Sequence, residues 1–286
     1  MTIARFGSYH TVRKQLSAGS RVMWVNVYLL YSLFLASKMQ LISDTAIVTG
    51  GAQGIGRGIA EELLHHGTSV VIADIDEDGA EETTAELNEE FEADTVAVRC
   101  DVTDAEDVQV MVNSAVDHFG DIGILVNNAG AAHIARTWEM PESEWRETID
   151  VCLTGPFLCT KAVLSHMLSE NTEGSIVNVS SLNYQAATDG LPHYSAAKAG
   201  VSQFTKVVAA EAGRYGIRIN AVAPGSTRTP LGRIGEPEDV AKVTAFLLSN
   251  YGQWVTGETI CVDGGQHIRG LHSYWDVLDD MGMFEE

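Results

Sequence analysis

A tyrosine and a lysine stand four residues apart in the stretch LPHYSAAKAGVSQF, as Tyr194 and Lys198. In a helix this spacing places both side chains on one face. A tyrosine hydroxyl ordinarily titrates near pH ~10, and a neighbouring ammonium group stabilises the phenolate form. The pair could therefore transfer a proton near neutral pH, although the same spacing also suits two polar side chains on a solvent-facing helix.

A second group of residues could bind phosphate. The stretch IVTGGAQGIGRGIA places Gly50, Gly54 and Gly56 between a predicted strand and a predicted helix. Glycines at such a turn let the backbone approach a pyrophosphate, whose charge the helix N-terminus favours. Asp74 ends the next predicted strand, where a carboxylate can bind ribose hydroxyls and would repel a 2′-phosphate. We therefore expect NAD as the cofactor rather than NADP.

Alternating strands and helices must position these residues. Seven short apolar segments are predicted strands: TAIVT, SVVIA, TVAVR, ILVN, SIVNV, RINAV and TICV. Five longer amphipathic segments are predicted helices: 56–66, 78–91, 105–119, 194–215 and 237–248. The alternation implies right-handed crossovers. The expected fold class is therefore α/β, a single doubly wound parallel sheet of Rossmann type with helices on both faces. We expect one domain over 39–270, followed by a C-terminal tail, 271–286.

Charge is distributed unevenly along the chain. Residues 1–38 contain five Lys/Arg and no acid, whereas residues 39–286 contain 13 basic and 39 acidic residues, with only four lysines. Such a surface should repel nucleic acid and anionic membranes. It is typical of a salt-adapted protein, the alternative being an ordinary acidic one. The four cysteines show no paired or metal-like spacing, so we expect the cytoplasm and no metal site.

The N-terminal extension, 1–38, contains the apolar stretch VMWVNVYLLYSLFLA at 22–36, behind basic residues. It resembles the hydrophobic part of a signal sequence but is short for a membrane span. We favour the interpretation that the start is misassigned and that Met39 is the first residue. A membrane-tethered protein is the alternative, and it depends on this stretch alone.

Several motifs occur in one fixed order, and through them the segment 41–265 resembles the short-chain dehydrogenase/reductase family. They are TGGAQGIG, CDVTD at 100–104, LVNNAG at 125–130, Ser181 thirteen residues before YSAAK, NAVAPG at 220–225 and TGETICVDGG at 256–265. The resemblance implies an NAD(P)-dependent oxidoreductase acting on CH–OH groups, with cofactor and substrate sites in one domain. It also implies a homo-oligomer, a dimer or tetramer formed through the helices around 148–168 and 194–215.

The resemblance further implies a role for individual residues. Tyr194 would be the catalytic acid/base, Lys198 its partner, and Ser181 the residue that binds the substrate oxygen. The implied cofactor-binding residues are Gly50, Gly54, Ile55, Gly56, Asp74, Asp101, Val102, Asn128, Tyr194, Lys198, Pro224, Gly225 and Thr227. Asn127 is expected to tie the sheet together. His193 is expected to be structural, because adjacent residues on a helix point in different directions.

The sequence departs from the family pattern at two places. Cys152 stands in IDVCLTG, where the family usually has an asparagine whose carbonyl holds a water linking the lysine to solvent. A thiol is a weak donor and acceptor, so this proton relay should be impaired or rerouted. Alternatively, Cys152 is simply a small buried residue in a differently kinked helix.

The second departure is a short substrate lid. Only STRTPL, 226–231, separates Gly225 from GRIGEPEDV, so about twenty residues of the segment that usually covers the substrate are missing. We expect an open, less specific site or a defective copy, and the C-terminal tail could partly replace the lid.

The expected reaction is the interconversion of a secondary alcohol and a ketone with NAD(H). A sugar, polyol or hydroxy acid would suit an open polar site, with Arg136, Arg228 or Arg269 as candidate carboxylate contacts. A 3-oxoacyl thioester reductase is one alternative, although an acidic carrier protein would be repelled by an acidic surface. A cofactor-binding protein with impaired catalysis is the other.

Overall fold

The computed structural model describes residues 39–91, 94–225 and 235–269. The N-terminal extension, the short lid and the C-terminal tail considered above lie outside these ranges. The domain limits at 39 and 270 therefore stay predictions.

Seven parallel strands form one sheet, in the order β3-β2-β1-β4-β5-β6-β7. They are β1 (Thr45–Thr49), β2 (Ser69–Asp74), β3 (Thr95–Arg99), β4 (Ile124–Asn127), β5 (Gly174–Val179), β6 (Ile217–Pro224) and β7 (Thr259–Val262). Every predicted strand is present, and the doubly wound parallel sheet is confirmed. The strand order reverses between β1 and β4, which is where open α/β sheets form a crevice at the carboxyl ends of their strands.

Helices connect the strands and cover both faces of the sheet. They are α1 (Gly54–His65), α2 (Glu77–Glu90), α3 (Ala105–Phe119), α4 (Glu142–Ile149), α5 (Gly155–Glu170), α6 (Pro192–Ala212), α7 (Pro237–Leu248) and α8 (Gln266–Arg269). Helix α6 begins at Pro192, before the predicted Tyr194, because proline suits the first helical turn. It ends at Ala212 because the chain tightens into a 3₁₀ turn, Gly213–Tyr215.

The sheet separates two hydrophobic cores. Along β1, Ile47 packs with α3 and α5 on one face, whereas Ala46 and Val48 pack with α1 and α7 on the other. The same alternation holds in β4, where Leu125 faces the first core and Val126 the second. Because both faces of the central strands are buried, these strands are mostly apolar, and this is why their sequences show no regular polar alternation.

Helices α4 and α5 are joined through a π-helical segment, Asp150–Thr154, into one continuous helix. Among the described residues, this stretch, Glu142–Glu170, is the one helix long and apolar enough to cross a membrane. Its C-terminal part packs against β4, β5 and α3. Packing on the sheet accounts for its apolar composition.

Candidate active site

The carboxyl ends of the parallel strands bring the predicted site residues to one edge of the sheet. Gly50 follows β1, Asp74 ends β2, Asn128 follows β4 and Pro224 ends β6. Helix α6, which carries Tyr194 and Lys198, packs against β5 and β6. Residues distant in sequence thus meet at the point where the strand order reverses.

Glycines shape the turn between β1 and α1. Gly50 and Gly54 have φ of +63° and +58°, which side chains with a Cβ rarely adopt. A Cβ on Gly56 would lie 2.0 Å from the Gly50 carbonyl oxygen and 2.5 Å from Asn128 Nδ2. Only glycine allows this close approach. Ile55 lies between them and packs against the second core.

The same turn leaves a helix N-terminus available to an anion. Gln53 precedes α1, and no described side chain caps its first N–H groups. Around the Cβ position of Gly54 there is open space, with no described heavy atom within 4 Å. Uncapped N–H groups beside open space fit the pyrophosphate of a dinucleotide.

Asp74 is held above this turn. Its Oδ2 accepts a hydrogen bond from the Ala52 N–H at 3.1 Å, and its Oδ1 accepts one from the Asp76 N–H at 3.1 Å. A carboxylate has about four acceptor positions, so two hydrogen bonds leave capacity for ribose hydroxyls. The residues therefore fit a dinucleotide whose adenosine ribose lies beside β2.

Asp101, Val102 and Asn128, which are predicted to bind the cofactor, also make contacts within the protein. Asp101 Oδ1 accepts hydrogen bonds from both the N–H and the hydroxyl of Thr103. The Val102 side chain is buried against Gly155. Asn128 donates through Nδ2 to the carbonyl oxygens of Thr49 and Gly50, at 3.0 and 2.8 Å. Asn128 thus ties the end of β4 to the glycine turn.

Tyr194 and Lys198 lie together on one face of α6, as predicted. The Lys198 ammonium group is 5.4 Å from the centroid of the Tyr194 ring. Lys198 is 3% exposed, and its Nζ donates to the Val179 carbonyl oxygen at 2.7 Å. A buried ammonium that is held by one carbonyl retains two donor hydrogens. One can bind a ribose hydroxyl, and the positive charge can stabilise a phenolate.

Ser181 follows β5 and begins a short 3₁₀ helix, Leu182–Tyr184. Its Oγ accepts a hydrogen bond from the Asn183 N–H at 3.3 Å and donates to Asn183 Oδ1 at 3.0 Å. Asn183 Nδ2 in turn donates to Ser195 Oγ at 3.4 Å, on the residue after Tyr194. This chain of contacts links the serine to the first turn of α6.

Cys152 lies in the π-helical segment and is fully buried. Its thiol donates to the Ala131 carbonyl oxygen at 3.2 Å and accepts from the Ala131 N–H at 3.4 Å. From the position of a Cβ on Gly130, the thiol is 3.7 Å away and Lys198 Nζ is 3.8 Å away. The thiol and the lysine therefore both border the open side of Gly130.

The remaining predicted residues either contact other parts of the protein or lie outside the described residues. Asn127 donates to Thr160 Oγ1 and Asn178 Oδ1, at 2.9 and 2.8 Å, in keeping with its structural role. Arg136 lies 6.0 Å from the Trp138 ring centroid and 3.8 Å from a Glu139 carboxylate oxygen. Thr227, Arg228 and the side chain of Arg269 lie outside the described residues.

His193 is fully buried, and neither ring nitrogen has a hydrogen-bond partner among the described residues. The ring of His133 is 6.5 Å away, centroid to centroid, and His133 Nε2 is 3.3 Å from Glu147 Oε2. Burial lowers the pKa of His193, His133 lowers it further, and Glu144 acts in the opposite direction. The neutral imidazole fills space between the start of α6 and the loop after β4.

Sequence reasoning missed three polar side chains at this edge: Asn183, Asp263 and Tyr184. Asp263 accepts hydrogen bonds from the Gly265 and His267 N–H groups and holds the turn beside Gly225. Burial and a contact with Cys261 raise the pKa of Tyr184 to about 12. The patterns Ser-x-Asn and Asp-Gly-Gly are turn signals that could have indicated Asn183 and Asp263. Tyr184 carries no such signal.

Comparisons with known proteins agree with this geometry. A family model described as short chain dehydrogenase matches residues 44–238, and one described as Enoyl-(Acyl carrier protein) reductase matches 226–267. Glucose 1-dehydrogenase 2 of Bacillus subtilis is 36% identical over 246 residues, covering 79% of this chain and 95% of that protein.

Two further matches cover nearly the whole length of the matched proteins. A 3-oxoacyl-[acyl-carrier-protein] reductase of Staphylococcus aureus is 36% identical, covering 79% of this chain and 99% of that protein. The crystal structure of a short chain dehydrogenase from Mycobacterium smegmatis is 37% identical with a TM-score of 0.74, covering 78% of this chain and 92% of that one. The chain therefore belongs to the short-chain dehydrogenase/reductase family and is an NAD(P)-dependent oxidoreductase acting on CH–OH groups.

Proposed function

We propose that the protein interconverts a secondary alcohol and a ketone with NAD(H), and that its substrate is a sugar, polyol or hydroxy acid. The observation that carries this proposal is the position of Lys198, which is buried, lies 5.4 Å from the Tyr194 ring and borders Gly130, in the loop whose Asn128 holds the glycine turn. A proton-transfer pair thus adjoins the residues that fit a dinucleotide.

Three side chains have distinct roles in the proposed reaction. Tyr194 takes the proton from the alcohol or gives one to the ketone oxygen. Lys198 stabilises the phenolate and holds the nicotinamide ribose. Ser181 donates a hydrogen bond to the oxygen on which charge develops. The bound dinucleotide supplies hydride transfer.

Asp74 supports NAD rather than NADP. Its carboxylate is held by two backbone N–H groups, so it cannot easily turn away from a ligand beside β2. A 2′-phosphate there would face a fixed negative charge. We expect NADP to support much slower turnover than NAD.

The alternative functions differ in the substrate and in whether the protein catalyses the reaction efficiently. The similarity to a glucose dehydrogenase supports a sugar, and the similarity to a 3-oxoacyl reductase supports an acyl thioester. Cys152 supports a cofactor-binding protein with slow catalysis, since its thiol is occupied by Ala131.

The test is turnover by the full chain, followed by NADH absorbance. The probes are glucose, xylitol, 3-hydroxybutyrate and cyclohexanol with NAD, and acetoacetyl-CoA with NADH. We expect one alcohol to react and Tyr194→Phe to lower kcat by about a hundredfold or more. Tyr215→Phe, on an exposed tyrosine, is the matched control and should leave kcat unchanged. Turnover of acetoacetyl-CoA alone would support the reductase, and NADH binding without any turnover the binding protein.

A further inference from the structure

The hydroxyl group of Ser181 is already engaged by a neighbouring side chain. Its single hydrogen is donated to Asn183 Oδ1 at 3.0 Å, while its oxygen accepts from the Asn183 N–H at 3.3 Å. Both bonds go to one residue, and the backbone bond caps the 3₁₀ helix Leu182–Tyr184. The serine oxygen is therefore fixed by the backbone, and the direction of its hydrogen is fixed by the amide.

The amide itself is oriented from its other end. Asn183 Nδ2 donates to Ser195 Oγ on α6, so the carbonyl oxygen of the amide is turned toward Ser181. Asn183 is only partly buried. This places an acceptor beside the serine without closing the serine off from a substrate.

A hydroxyl group has one hydrogen to donate, so Asn183 and a substrate oxygen must compete for it. A neutral ketone or alcohol oxygen is a weaker hydrogen-bond acceptor than an amide carbonyl, so a neutral substrate gains nothing by taking the hydrogen from Asn183. An oxygen that carries developing negative charge accepts a bond about twice as strong. The competition therefore favours the substrate mainly in the transition state.

We infer that Asn183 is a positioning residue that retains the Ser181 hydrogen until charge develops on the substrate oxygen. This inference rests on the proposed function, in which Ser181 donates to that oxygen. Asn183 thereby withholds the serine's hydrogen bond from the bound ground state, so substrate binds less tightly while the barrier within the complex stays the same.

Two substitutions of opposite effect test the inference, using the alcohol that the full chain turns over fastest. Asn183→Leu removes the acceptor and frees the hydrogen for the bound substrate. We expect KM to fall by about threefold to tenfold with kcat little changed, the value of one neutral hydrogen bond. Asn183→Asp replaces the acceptor by an anion that holds the hydrogen more firmly. We expect kcat/KM at pH 7 to fall by about tenfold and to recover as the carboxyl group is protonated in acid.

Controls separate this role from a merely structural one. Ser195→Ala removes the contact that orients the amide, so KM should fall part of the way toward its value in Asn183→Leu. In a Ser181→Ala background, Asn183→Leu should have no effect on KM, since no hydrogen is left to release. NADH fluorescence checks that each variant is folded, and the pH recovery of Asn183→Asp decides the question if Asn183→Leu does not fold.

The opposite ranking would overturn the inference. A structural asparagine, or one presenting its NH₂ group to Ser181, predicts weaker binding in Asn183→Leu and, in Asn183→Asp, near-normal activity with the pH profile of the unaltered protein. If that occurs while Tyr194→Phe and Ser181→Ala keep only a small residual turnover, the proposed function stands and only the role of Asn183 is lost. If Ser181→Ala is fully active, or no probe reacts, the proposed function fails first and this inference fails with it.

Discussion

The thiol of Cys152 makes two hydrogen bonds to one backbone residue, Ala131. Hydrogen bonds to sulfur are weak, yet both the donor and the acceptor of the thiol are used. An amide at this position could make the same pair of bonds and would keep a second carbonyl lone pair for a water molecule.

Replacing Cys152 by asparagine should raise kcat near neutral pH by about tenfold, because the carbonyl oxygen can hold a water near Lys198. Cys152→Ser is the matched control. It keeps the two contacts with Ala131 but adds no carbonyl, so its kcat should stay near that of the unaltered protein. Steady-state kinetics over pH 6 to 9 would check both. Equal rates for all three proteins would show that proton release does not limit turnover.

At the scale of secondary-structure elements, the limits of long helices with a regular hydrophobic pattern could be predicted from the sequence, whereas short irregular segments could not. Helices α3 and α7 have the predicted limits, because an aspartate cap and a proline start mark them. The π-helical segment around Cys152 was not predictable, since its extra residue per turn depends on packing rather than on local propensity. Likewise the glycine turn followed from sequence, whereas the orientation of Asn183 depends on Ser195, which the fold brings close.

The start of α6 is the element whose stability should depend on pH. The folded protein lowers the pKa of His193, chiefly through burial, so the unfolded chain binds the proton more readily. This contribution to the free energy of unfolding is complete above pH ~6.5 and is lost as the pH falls below it toward the lowered value.

His193→Leu should remove this dependence and raise the free energy of unfolding at pH 7.5 by about 1 kcal/mol, because two buried nitrogens that have no partner among the described residues are replaced by an apolar group. Urea unfolding between pH 5 and 8 measures both effects. His118→Leu, on an exposed helix surface, serves as the control and should keep the slope of the unaltered protein. A slope in His193→Leu as steep as in that protein would mean that other groups carry the pH dependence.

At the scale of the whole molecule, an acidic surface coexists with exposed apolar side chains. Phe157 and Leu168 on α5, and Val207 on α6, are exposed in the single chain. These are the helices through which we propose that copies associate. The net charge of the body would oppose such association at low salt, because like charges repel over a Debye length of about 10 Å at 0.1 M.

We therefore expect the oligomer, a dimer or tetramer, to form more completely as potassium chloride is raised from 0.1 to 2 M. Sedimentation velocity would follow the change in mass. Phe157→Glu places a charge within the apolar surface and should keep the protein monomeric at both concentrations, whereas Val110→Glu, on α3, should not. A mass independent of salt in the unaltered protein would contradict a salt-adapted surface.

The order of strands in the sheet also has a consequence for synthesis on the ribosome. β1, β2 and β3 emerge first and form one half of the sheet, but β1 gains its second neighbour only when β4 follows. The glycine turn that we propose as the dinucleotide site can thus be built from the first half of the chain. Tyr194 and Lys198 gain their full support only after β6 has been made, because α6 packs against β6 as well as β5. A nascent chain should acquire the capacity to hold a nucleotide well before it can react with one.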